Sequence, residues 1–191
     1  MWHGPQDKEM IYMRTIRNYL LMALAVTTLS FVTVNAQGQI VSDAAIEKKV
    51  GKEIRMLPYY GLFDHITYRV EGGTVTLLGK TASLGTRKSA ERVVKRIPGV
   101  IEVVNNIEDL PPSPYDSGIR RQVVREFENS AGVLPYISGI NPQVRIIVEN
   151  GRISLEGNVP NKGVSNLMYL LANRVPGTFK VTNNLLVSER S

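Results

Sequence analysis

Two histidines, His3 and His65, and no cysteine leave few side chains for nucleophilic or transition-metal chemistry. Thiolate ligands, a cysteine nucleophile, disulfides and a lipidated N-terminal cysteine are excluded. His65 stands alone where a strand should start, and a lone histidine is a surface or packing residue far more often than a base. The carboxylates are scattered, each near basic residues. Glu71 and Glu149 recur at matching places, which marks a turn contact before a paired acid and base. Gly151-Arg-Ile-Ser-Leu-Glu-Gly157 lacks a Gly-Lys-Ser/Thr ending and spells no phosphate loop. The expectation is a protein with no catalytic residue, no metal ligand set and no cofactor.

Surface chemistry is better represented. Arg87, Lys88, Arg92, Lys95 and Arg96 would form a basic outer face on one helix, suited to phosphates. Glu91 interrupts it and no aromatic residues interleave for base stacking, so anionic lipid suits this face and nucleic acid does not. A second helix carries Leu167, Tyr169 and Leu170 at outward positions with Arg174 at its end. A surface helix should not be apolar there unless something covers it or docks on it.

Both helices belong to an internal repeat. At an offset of 78, Val70-Glu71 matches Val148-Glu149, and Leu77 and Gly79 match Leu155 and Gly157. Pro98-Gly99 matches Pro176-Gly177, and Asn105-Asn106 matches Asn183-Asn184. Leu57-Pro58-Tyr59 returns as Leu134-Pro135-Tyr136 at an offset of 77. Leu110-Pro-Pro-Ser-Pro114 between the copies reads as a stiff linker, placed over residues 110–116. The outward apolar set is peculiar to the second copy, because the first has Ser89, Glu91 and Arg92 at the equivalent places.

Each copy reads α-β-β-α-β. Ser42 and Asp43 can cap a helix whose one face holds Ile46, Val50, Ile54 and Leu57; Val123 and Phe127 serve the second copy. Ile66, Tyr68 and Val70 alternate with polar residues, as a strand requires. Gly72-Gly73 and Asn150-Gly151 fit two-residue hairpins with positive φ. A helix with Ala90, Val93, Val94 and Ile97 inward, or Met168, Leu171, Ala172 and Val175, then stops at Pro-Gly before a last strand. Gly73, Gly79, Gly99, Gly151, Gly157 and Gly177 are thus structural turn glycines. The fold class is α+β: two tandem αββαβ domains, each a three-stranded mixed sheet with two helices on one face.

Residues 1–36 read as a signal peptide. Arg14 and Arg17 precede an apolar stretch from Tyr19 to Val34, and Val34-Asn35-Ala36 supplies small residues for cleavage before Gln37. The apolar run falls short of the ~20 residues of a spanning helix. Met13 or Met10 would make a tidier start. The net charge of +6 falls to near +5 without this leader. Two domains of about 70 residues without disulfides have small cores, which favours packing one on the other.

The pattern resembles the BON domain of bacterial envelope proteins. It is carried by Gly72-Gly-Thr-Val-Thr-Leu-Leu-Gly79, Ile97-Pro-Gly-Val100 and Val103-Val-Asn-Asn106, and by Asn150-Gly-Arg-Ile-Ser-Leu-Glu-Gly157, Val175-Pro-Gly177 and Val181-Thr-Asn-Asn184. Thr178 departs from the usual valine. The resemblance implies repeats over 37–109 and 117–188, a periplasmic location, and binding of an anionic phospholipid surface or an envelope protein, peripheral rather than transmembrane. It implies no catalysis. A chaperone-like protein shielding unfolded clients, or a structural subunit of an envelope assembly, is the alternative.

Overall fold

The computed structural model describes residues 41–188, and the leader read over residues 1–36 lies outside them. Ser42 caps helix α1 (Asp43–Arg55) by accepting from the Ala45 amide. Ile46, Val50 and Ile54 recur every four residues, so one stripe of α1 is buried. Strands β1 (His65–Glu71) and β2 (Thr74–Thr81) form an antiparallel hairpin. Helix α2 (Thr86–Val94) carries the chain over to β3 (Glu102–Asp109), which lies parallel to β2. The second copy repeats the plan with α3 (Pro114–Glu128), a short α4 (Leu134–Ile137), β4 (Val144–Glu149), β5 (Arg152–Val159), α5 (Lys162–Asn173) and β6 (Lys180–Val187). Each sheet has its second strand in the middle.

One face of each sheet is apolar and takes both long helices. Ile66, Val75, Leu77 and Ile107 form a single core with Ile46, Val50, Ala90 and Val94. Ile146, Val148, Ile153 and Leu155 do the same with Ile119, Val123, Phe127 and Met168. The α+β class and tandem αββαβ plan read from the sequence are the observed ones.

The hairpins turn as the sequence requires. Gly72 and Gly73 have φ of 56° and 77°, and Asn150 and Gly151 have 50° and 72°, the paired positive φ of a type I′ turn. An aspartate holds each turn: Asp43 accepts from the Gly72 and Gly73 amides at 2.7 and 2.9 Å, and Asp116 from Asn150 and Gly151 at 3.0 and 2.8 Å. Asp43 therefore serves the hairpin, and the helix cap falls to Ser42 alone. Gly79 and Gly157 answer a different need, since a Cβ there would strike the backbone carbonyl of His65 at the start of β1 or of Gln143 just before β4. The first asparagine of each Asn-Asn pair ties its strand to the preceding helix: the Asn105 side chain donates to Arg87 O and that of Asn183 to Ser165 Oγ.

Two departures from the sequence reading have simple causes. Helix α3 begins at Pro114, inside the stretch read as linker over 110–116, with Ser113 as its cap. Proline suits the first turn of a helix, where its missing N–H is not needed. The second copy also gains four residues after its first helix. Phe127 lies seven residues before Leu134, whereas Ile54 lies three before Leu57. The extra turn places Val133 in the core.

The copies do pack together, and an edge strand is where they meet. Strand β4 is buried on both faces from Val144 to Val148. The loop Tyr60–Asp64 of the first copy lies along it, with the Ile146 amide donating to Leu62 O at 2.8 Å. Leu62 and Phe63 pack against the second copy's core. Arg145, 6% exposed, donates to Gly61 O at 2.6 Å and lies 4.3 Å from the Tyr60 ring centroid. These contacts offset the cost of burying its charge. Asp64, fully buried, fixes the loop by accepting from Gly61, Ala82 and Ser83 amides and from the Thr81 and Ser83 hydroxyls.

Candidate functional site

The five basic residues Arg87, Lys88 and Arg92 on α2 and Lys95 and Arg96 just past its end are all exposed. Lys95 is engaged by Glu91, whose carboxyl is held below its usual range first by that bond and then by the Asn105 side chain. Arg87, Lys88, Arg92 and Arg96 have no carboxylate within 4.0 Å among the described residues. This leaves four available cations, three on a helix that packs against β2, β3 and α1 and Arg96 just beyond its end.

Helix α5 presents a different surface. Asn161 caps it by accepting from the Val164 amide, and Met168, Leu171 and Ala172 are buried as expected. Leu170 is 59% exposed and Tyr169 is 39% exposed, with Arg174 exposed at the C-terminal end. Leu167, expected to point outward with them, is half-buried against the core, its Cδ2 lying over Gly132. The cause is the four-residue insertion, which brings the turn after α3 across this part of α5. The helix packs on β5, β6 and α3 of its own repeat. The first copy meets β4 instead, so Tyr169 and Leu170 stay uncovered. The basic row and the apolar pair thus lie on separate repeats.

A third surface was not visible in the sequence. The outer faces of the two sheets border a cleft of about 600 Å³ lined by His65, Thr67 and Lys80 from the first copy and Glu149, Arg152, Ser154, Glu156, Lys180 and Thr182 from the second. Lys80 bridges the copies, 2.7 Å from Glu149 and 3.2 Å from Glu108. Its bond to Glu149, more than any other cause, raises its pKa above the usual lysine value. Glu71, the counterpart of Glu149, pairs instead with Arg69. Burial lowers the pKa of His65, partly offset by Glu156, so the imidazole is biased toward its neutral form. The available signal was Arg152 and Lys180 at matching strand positions, but the neighbouring wall belongs to another repeat, and sequence spacing cannot supply that.

Among the described residues no group of three or more His, Asp or Glu side chains is placed to hold a metal ion, and no helix is long and apolar enough to cross a membrane. A protein of Anaplasma centrale, described as an uncharacterised protein in the gshII 5′ region, is 31% identical over 147 residues, covering 74% of this chain and 91% of its own. The C-terminal domain of CdsD, described as the structural protein of the type III secretion system of Chlamydia trachomatis, aligns at a TM-score of 0.29 and 12% identity over 72% of this chain and 96% of that one. A second CdsD structure gives 0.30 and 12% over 75% and 94%. The family model of the BON domain matches residues 42–108 and again residues 115–189. With both copies matched over most of its length, the chain belongs to the BON-domain family.

Proposed function

We propose that this is a non-enzymatic protein of the bacterial periplasm that docks peripherally on anionic phospholipid of the envelope. The observation that carries the reading is the uncovered Tyr169 and Leu170 on α5 beside the exposed Arg174. An aliphatic side chain, a tyrosine and a cation within one and a half turns suit a membrane interface. The leucine enters the acyl boundary, the amphipathic ring sits at headgroup level and the guanidinium takes a phosphate. Full burial of Leu170 would contribute roughly 1.5–3 kcal/mol and each cation about 1 kcal/mol, which supports weak, reversible association. The α2 cations add longer-range attraction that salt screens.

Cosedimentation with phosphatidylglycerol and phosphatidylcholine vesicles tests this. The protein is expected to pellet with the anionic vesicles only, and less so as salt rises. Equal binding to both, or binding to neither, would overturn the reading.

A further inference from the structure

The cleft between the two sheets has a charge pattern that the fold does not require. Arg152 and Lys180 stand directly opposite each other on the parallel strands β5 and β6. Like charges in that position repel and weaken a sheet. Neither has a carboxylate within 4.0 Å among the described residues. Glu149 on β4 is in register with Arg152, but Lys80 of the first copy holds its carboxylate at 2.7 Å. The joint between the repeats therefore removes the one carboxylate in register with Arg152. The next row on the same face is Ser154 opposite Thr182, two hydroxyls beside the two cations. The equivalent rows of the first copy are Thr74 with Glu102 and Thr76 with Val104, so the arrangement is peculiar to the second copy.

We propose that this cleft binds a small soluble phosphate monoester, with Arg152 and Lys180 gripping the phosphate. A guanidinium fork, an ammonium and two hydroxyls offer more donors than the two oxygens of a carboxylate can accept, and they suit the several oxygens of a phosphate. A bound dianion also relieves the repulsion between the two cations. His65 and Glu156 also line the cleft and supply donors and acceptors for hydroxyl groups, Glu156 through the oxygen that Asn184 does not hold, which favours a polyol carrying the phosphate. The cleft volume of about 600 Å³ accommodates such a solute. The site lies on the outer sheet faces, apart from α5, and stands or falls independently of the membrane reading.

Calorimetric titration of the full chain with glycerol 3-phosphate and with inorganic phosphate, at constant ionic strength against chloride, tests the assignment. One saturable site is expected for glycerol 3-phosphate, with weaker binding of inorganic phosphate. Arg152→Gln and Lys180→Gln should each weaken binding at least about tenfold. Arg87→Gln on α2 should leave it unchanged. Arg152 and Lys180 are both exposed, so their variants should keep the wild-type melting temperature in phosphate-free buffer; should either melt early, Ser154→Ala provides the same test with a smaller loss. Absence of saturable binding, or equal affinity in the cleft variants and wild type, would overturn the proposal. Binding to anionic vesicles without binding of soluble glycerol 3-phosphate would also overturn it, while leaving the membrane reading intact.

Discussion

Gly151 shows how much one residue is asked to do. Its φ of 72° lies where a side chain is strained, and an added Cβ would sit 2.5 Å from Phe179 Cδ2. Its carbonyl receives the Phe179 amide at 2.8 Å, so the turn also starts the parallel ladder. Gly151→Val is therefore expected to cost roughly 1–3 kcal/mol from backbone strain before any clash is counted. Thermal melts read this, and an unchanged midpoint would contradict the turn assignment. The glycine and asparagine positions were legible because the repeat displays them twice. Asp43 and Asp116, which hold the same turns, were harder to see. They are 73 residues apart while the strands are offset by 78, so the insertion after α3 takes them out of register.

At the scale of elements, apolar periodicity located the long helices and the first hairpin strands, because they bury a stripe or an alternate row, whereas the short α4 escaped it and β4 is buried on both faces. The same periodicity misjudged Leu167. On a helical wheel it belongs with Leu170, but the inserted turn around Gly132 covers one and leaves the other exposed. The two leucines should therefore respond differently to substitution. Leu167→Ser is expected to lose about 1–2 kcal/mol of stability from lost burial, whereas Leu170→Ser should be within about 0.5 kcal/mol of wild type. Chemical denaturation of the two variants side by side checks this. Equal losses would mean that Leu170 is covered in solution.

On the whole-molecule scale, the repeat plan was plain in the sequence and the joint between repeats was not. Its residues are not themselves repeated: Lys80 corresponds to Asn158, Arg145 to Thr67 and Asp64 to Pro142. A device used once leaves no internal echo. Leu62 and Phe63 share the second copy's core, and all the described residues fall within one compact unit, so the two repeats should unfold together. Leu62→Asp would place a charge against that core and expel the loop. Calorimetry is then expected to replace a single transition with two. A single transition that merely shifts would show that cooperativity is carried elsewhere.

The claim that α5 meets anionic membrane can be read at the side chain itself. The chain has one tryptophan, Trp2, so Leu170→Trp in a Trp2→Phe background places a single indole on the proposed contact. Emission should shift to the blue with phosphatidylglycerol vesicles and stay unchanged with phosphatidylcholine vesicles, as the ring leaves water only on docking. An emission spectrum indifferent to anionic vesicles, whether or not the protein pellets with them, would contradict docking through α5.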